Sequence, residues 1–107
     1  MQYTCTLRLN KAADAVHTEW SPNTPDPKEF VVGDEILFTS VDGDWRVEFV
    51  DSPFASTTVP QTFSAPVDQP QTGSLLRDGQ FNFDCIIVSG GKAIGYDGAG
   101  DDLRVRK

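Results

Sequence analysis

Apolar and polar residues alternate along most of this chain, and a β-strand with one buried face has the same period of two. The alternation is clearest in residues 80–88, whose inward positions are Phe81, Phe83, Cys85 and Ile87. No window of helical length carries apolar residues at the spacing of about 3.6 residues that marks an amphipathic helix. The pattern therefore predicts an all-β protein.

Other segments with the same alternation predict the remaining strands. The first covers residues 3–9, with Tyr3, Cys5, Leu7 and Leu9 on one face. Further strands are predicted around residues 35–40, 45–49 and 103–105.

Turn signals and composition predict how these strands are connected. Asp42-Gly43 predicts a hairpin between residues 35–40 and 45–49, and Gly90-Gly91 predicts a turn after the 80–88 strand. Residues 51–73 are rich in Ser, Thr, Pro and Gln, which predicts long loops with one short strand. Because Ile86 and Val88 are also apolar, we expect the far end of the 80–88 strand to be covered on both faces.

About seven short strands in 107 residues are typical of a two-sheet Greek-key sandwich formed by a single domain, residues 1–107. An immunoglobulin-like sandwich is the alternative. Its signature has a Trp shortly after the first Cys, whereas Trp45 lies 40 positions from both Cys5 and Cys85. That spacing favours a different sandwich.

Two segments carry a resemblance to a known family. Residues 32–38 read VGDEILF, and residues 79–85 read GQFNFDC. The first resembles the GD-x-apolar-x-F start of the third strand of cupredoxin-like proteins, and the second resembles their late G-x-F/Y-x-F/Y-x-C strand. The resemblance covers roughly residues 30–107 and implies a cupredoxin-like sandwich.

In the electron-transfer members of that family, the Cys of the second motif is a copper ligand. A blue-copper centre also needs two imidazoles and usually a weak axial thioether. The residues after Cys85 include neither, and His17 and Met1 are the only His and Met of the chain. The resemblance therefore implies a relative without a copper site or other cofactor, and we expect Cys85 to lie in the core.

Composition excludes several classes of protein. The chain has 16 acidic and 9 basic residues and a formal net charge of -7, which argues against nucleic acid as a partner. Hydrophobic residues make up 38% of it, which is too many for a disordered chain, and no apolar run is long enough to span a membrane.

Two cysteines far apart in the sequence lack the spacing of a metal or redox motif. We expect Cys5 and Cys85 to be buried thiols, with a disulfide between them as the alternative. The first residues lack a basic segment followed by an apolar run. This predicts a cytoplasmic protein, or a secreted one if a signal peptide has been removed.

The sequence does not display the residues of a common catalytic site, so we expect no enzyme. His17 is the only candidate base for a Ser-His-acid triad, and no G-x-S-x-G segment is present. Cys85 stands among apolar residues, which disfavour the thiolate. Gly90-Gly91-Lys92 lacks the spacing of a phosphate-binding loop.

An acidic segment, residues 96–102, gives the one candidate for metal chemistry. It contains Asp97, Asp101 and Asp102, and Ca²⁺ prefers several oxygen ligands. The segment does not have the EF-hand spacing, and Asp-Gly loops are common as ordinary turns. A calcium-binding β-sandwich is therefore the alternative function.

Apolar residues in loops and at strand ends are candidates for contact with a protein partner. They are Trp20, Pro53, Phe54 and Pro60. They either cover the core or form an exposed patch that binds another protein or a second copy of this chain. The basic end, Arg104, Arg106 and Lys107, is a solvated edge or a second contact. The predicted function is a non-catalytic binding module that uses the loops of residues 51–73, with strand addition at a sheet edge as a second route.

Overall fold

Alternating side chains form strands throughout the part of the chain that the computed structural model describes, which is residues 1–12, 14–22, 29–96 and 100–107. The described residues form ten strands and no helix, so none of them belongs to a helix that could cross a membrane. The strands are β1 (Gln2–Asn10), β2 (Ala15–Ser21), β3 (Glu29–Val31), β4 (Glu35–Ser40), β5 (Asp44–Phe49), β6 (Gln61–Ala65), β7 (Gln71–Ser74), β8 (Gly79–Ser89), β9 (Lys92–Gly95) and β10 (Asp101–Arg106).

The strands form two sheets that pack face to face. The first sheet has the order β2-β1-β4-β7, and the second has the order β3-β10-β8-β5-β6, with β9 paired to β8. Two pairs, β1 with β4 and β3 with β10, are parallel, and the others are antiparallel. The predicted all-β, two-sheet sandwich is confirmed.

The inward positions of both sheets form one core, and burying them provides the main driving force for folding. The predicted inward face of β8 is buried at Phe81, Phe83, Cys85 and Ile87. The other sheet contributes Cys5, Leu7, Ile36 and Phe38, all without exposed surface. The alternation therefore assigned the buried face of these strands correctly.

The predicted hairpin at Asp42-Gly43 is wrong. Strand β4 pairs with β1 and β7, whereas β5 pairs with β6 and β8, so the turn carries the chain from one sheet to the other. A Cβ at Gly43 would clash with the main-chain carbonyl oxygen of Val88. Position 43 therefore needs a glycine because the turn packs closely against β8. In the sequence, this glycine after Asp42 looks the same as one that closes a hairpin.

Two further expectations are corrected. Residues 51–73 contain β6 and the start of β7, hence two strands and not one. Val88 is 42% exposed and Ile86 is half-buried, so the outer face at the far end of β8 is covered only in part. Its apolar outer position reflects the β-propensity of valine and not a second packed layer.

The turn at Gly90-Gly91 connects β8 and β9 as predicted. Ser89 and Lys92 are paired, and the two glycines have φ values of 59° and 78°. A two-residue hairpin of this kind requires positive φ at both central positions, which glycine adopts without strain.

Candidate interaction surface at one end of the sandwich

The loop after β5 is fixed to the end of the sandwich by a buried serine. The Ser52 hydroxyl donates a hydrogen bond to Gln61 Oε1 at 2.6 Å and accepts one from the Phe54 main-chain N–H at 3.1 Å. The Ser52 N–H donates to the carbonyl oxygen of Val59 at 2.9 Å. These bonds satisfy polar groups that are costly to bury alone, and they close residues 52–59 into a defined turn.

Arg77 holds the same loop from the other side. Its guanidinium donates hydrogen bonds to the Asp51 carboxylate, to the Ser52 carbonyl oxygen at 2.9 Å and to the Ala55 carbonyl oxygen at 3.3 Å. It also lies over the Phe81 ring, 5.1 Å from the centroid. A planar guanidinium serves several acceptors at once and stacks on an aromatic face. Arg77 therefore connects the loop to the start of β8.

Phe54 anchors this loop in the core. Its ring lies 5.9 Å from Phe38, 5.5 Å from Phe49 and 5.1 Å from Phe63 in edge-to-face geometry, centroid to centroid. Such contacts contribute about 0.5–1.5 kcal/mol beyond the burial of area. Phe54 and the neighbouring Pro53 are both buried. Of the two interpretations for these residues, the structure agrees with a cover over the core and not with an exposed patch.

The other two candidate contact residues lie apart. Trp20, on β2, is half-buried, with its ring 5.3 Å from that of Phe30 and its Nε1–H donating to Thr18 Oγ1 at 3.3 Å. Pro60 is exposed and directly precedes β6. The structure thus does not bring the four residues together, and only Pro60 remains at the exposed end of the loop.

The same end carries exposed apolar side chains that the sequence analysis did not single out. Val50 is 87% exposed, Leu76 53% and Val59 39%. The Leu76 N–H donates to the Pro53 carbonyl oxygen at 2.9 Å, so residue 76 adjoins the loop. With Pro60, these three residues are named the apolar end patch.

A signal for two members of the patch was present in the sequence. Val50 follows inward-facing Phe49, and Leu76 follows inward-facing Leu75. In an extended chain, consecutive side chains point in opposite directions. When one of two adjacent large apolar residues is buried, the other must therefore face outward.

The carboxylates of Asp101 and Asp102 do not come together to form a calcium site. Asp101 is buried, and its carboxylate accepts hydrogen bonds from the Thr18 hydroxyl and from the Asp102 main-chain N–H, both at 2.8 Å. Asp102 is exposed and accepts a hydrogen bond from Gln80 Nε2 at 3.0 Å. Adjacent residues of one strand point to opposite faces, so these two carboxylates do not converge. The third calcium candidate, Asp97, lies outside the described residues.

The remaining candidate reactive residues, the two cysteines and His17, do not form a common site. Cys5 and Cys85 are buried and do not form a disulfide. Burial raises the pKa of the Cys85 thiol, and the nearby carboxylates of Asp101 and Asp84 raise it further. His17 stands exposed on β2, 3.9 Å from a carboxylate oxygen of Glu19. Within the described ranges, no three His, Cys, Asp or Glu side chains are grouped to hold a metal ion.

Comparison with protein-family models and with curated protein sequences finds no match to this chain.

Proposed function

We propose that this chain is a non-catalytic, metal-free binding module that contacts a protein partner through the apolar end patch. The observation that carries the proposal is the exposure of Val50, Val59 and Leu76 beside a loop that is tightly held by hydrogen bonds. Apolar side chains grouped on an exposed surface are typical of protein contacts. A loop that is already ordered loses little conformational entropy on binding.

The proposal keeps a cupredoxin-like fold as its hypothesis for the family. In its favour, residues 32–38 lead into β4, an inner strand of the first sheet, and residues 79–85 begin β8, the central strand of the second. Cys85 faces the core, where a raised thiol pKa disfavours the thiolate that a metal needs. Both motifs serve the sandwich in this proposal, and neither supplies a redox centre.

A different protein suits the patch better than a second copy of this chain. Each copy carries a formal charge of -7, and like charges repel during association. A partner of neutral or basic net charge avoids this repulsion.

The test compares two double variants with the wild-type chain as bait in a pull-down from the native source. Val50→Asp with Leu76→Asp places two charges in the patch. Val41→Asp with Val67→Asp makes the same change at the other end of β5, where both valines are also exposed. We expect a partner that wild type and the Val41/Val67 variant retain equally and that the Val50/Leu76 variant loses by at least about tenfold, since a buried unpaired charge costs several kcal/mol.

Two other results would contradict the proposal. Equal retention by all three baits excludes the patch as the contact. If light scattering shows that wild type self-associates and that only the Val50/Leu76 variant is monomeric, the patch binds a second copy of this chain instead. Circular dichroism and thermal unfolding of each variant check that the sandwich is intact.

A further inference from the structure

A basic groove adjoins the apolar end patch. It has a volume of about 460 Å³ and lies between the last residues of β10 and the first residues of β8. Arg104, Arg106 and Lys107 line it, with Asp78 as the one acidic residue of its wall. Gly79 and Val105 are paired in the ladder, so the ends of β8 and β10 lie side by side beneath the groove. Arg104 and Arg106 stand on the exposed face of β10, where the groove is open to solvent.

The residues that line this groove carry a net charge opposite in sign to that of the whole molecule. Arg104, Arg106 and Lys107 line it against Asp78, which gives 3 - 1 = +2, whereas the whole chain has a formal charge of -7. The carboxylates of Glu29 and Asp102 stand beside the lining, the first next to the two arginines and the second hydrogen-bonded to Gln80. Arg104 and Arg106 are both exposed positions of β10, two residues apart on its outer face. An anionic ligand would find its most favourable contacts there.

The chain itself shows which anion the two arginines accept. The Glu29 carboxylate lies between them, with Oε1 3.9 Å from Arg104 Nη1 and Oε2 3.5 Å from Arg106 Nε. These distances exceed the 2.7–2.9 Å or so of a good charged hydrogen bond. Exposed pairs of this kind contribute little to stability, so a better-placed carboxylate can replace Glu29.

We infer that the basic groove binds an acidic, extended segment of the protein partner, with Glu29 as an internal competitor for Arg104 and Arg106. This inference rests on the proposed function, because it gives the chemistry of the partner next to the apolar contact. Arginines at alternate positions of a strand are about 6.6 Å apart along it. Acidic side chains at alternate positions of an extended peptide have the same spacing and reach both.

Nucleic acid is the less favourable occupant. A long polyanion extends well beyond the groove and meets the acidic body of the molecule, whereas a short peptide segment need not. A peptide segment also offers apolar side chains to the neighbouring patch.

The test uses a fluorescently labelled peptide of alternating glutamate and threonine, and fluorescence anisotropy at an ionic strength of about 0.15 M, where the Debye length of about 8 Å screens the distant acidic groups of the chain. We expect binding by the wild-type chain and none of a matched peptide of glutamine and threonine. Arg104→Gln with Arg106→Gln should weaken binding by about tenfold or more, because two charge-assisted contacts are lost. Glu29→Gln should strengthen it by about twofold to fivefold, because the competing carboxylate is removed.

Arg46→Gln is the matched control. Arg46 is also an exposed arginine of the second sheet, with its Nε 3.7 Å from the Glu48 carboxylate, and its replacement should leave the affinity within about twofold of wild type. Arg46→Gln removes one charge where the double variant removes two, so a loss of binding free energy about half that of the double variant would overturn the inference, since net charge alone would then explain binding. Glu29→Gln without effect, or tighter binding of an oligothymidylate, would overturn it as well.

The two proposals fail separately in these experiments. The Val50→Asp, Leu76→Asp variant should still bind the glutamate peptide, because its substitutions lie outside the basic groove. Peptide binding without any loss of partner in that variant contradicts the proposed function. Loss of partner in that variant without any peptide binding contradicts this inference alone.

Discussion

The protonation of the Cys85 thiol is controlled by the groups around it. The thiol has no exposed surface and lies near the carboxylates of Asp84 and Asp101. Desolvation and negative charge both disfavour the thiolate, so the pKa of Cys85 is higher in the folded chain than in the unfolded one. Cys85 is therefore a small core side chain whose burial keeps the thiol protonated.

This difference in pKa makes stability depend on pH. Below the ordinary thiol pKa of about 8.5, both states hold the proton and the thiol has no effect on the pH dependence. Above it, the unfolded chain loses the proton and the folded chain keeps it. We therefore expect the free energy of unfolding to fall by up to about 1.4 kcal/mol per pH unit from this group, measured by urea unfolding between about pH 8 and 10.

Cys85→Ala is the comparison for that measurement. Its stability is lower at every pH because it leaves a cavity, but it should lack the share of the alkaline slope that Cys85 provides. Identical slopes in both proteins would show that the Cys85 thiolate is no less favourable in the folded chain than in the unfolded one.

Strand β7 contacts the loop before β6 at Gly73, where the Phe54 ring packs against the backbone. A Cβ placed on Gly73 would lie 2.6 Å from Cδ1 of the Phe54 ring. The ring that anchors the loop therefore packs against the bare backbone of an edge strand. This contact connects the candidate surface to the first sheet.

Gly73→Ala should destabilise the protein by about 1–3 kcal/mol, because the ring has to move out of a packed core. Gly95→Ala, in β9, is the control, since nothing lies within 4 Å of its added Cβ and its φ is not in the left-handed region. We expect a change of less than about 0.5 kcal/mol there. Thermal unfolding of both variants checks the prediction, and similar losses would argue against the Phe54 contact.

The elements also show how far the sequence predicts this structure. Alternation identified the inward faces of β1 and β8, because burial acts on each residue of a strand in the same way. It did not predict which strands pair. The Asp42-Gly43 turn looks the same whether it closes a hairpin or crosses between sheets, since the difference lies in the approach of Val88 from another strand.

The candidate site was less predictable than the fold. In the loop after β5, the sequence analysis singled out Pro53 and Phe54, which are buried and anchor the loop to the core. Whether an apolar loop residue is an anchor or a contact depends on the long-range bonds of Ser52 and Arg77. The same holds for Glu29, whose position between two arginines follows from the parallel pairing of β3 with β10.

At the scale of the molecule, the net charge acts on all elements together. The principal extents are 40 × 27 × 25 Å, and the formal charge is -7. At an ionic strength of about 0.01 M the Debye length is about 30 Å, which is comparable to the width of the molecule, and at about 0.15 M it is about 8 Å. Acidic groups on opposite sides therefore repel each other only at low salt.

We expect the free energy of unfolding in urea to rise between these two ionic strengths, because the folded state concentrates the charge that salt then screens. Glu35→Gln with Asp68→Asn changes the net charge from -7 to -7 + 2 = -5. Asparagine also tolerates the φ of 61° at position 68. Self-repulsion scales with the square of the charge, so this variant should show about half of the rise.

Lys11→Gln, at -7 - 1 = -8, should show a larger rise than wild type. The same salt dependence in all three proteins would mean that local ion pairs, and not the total charge, set the response.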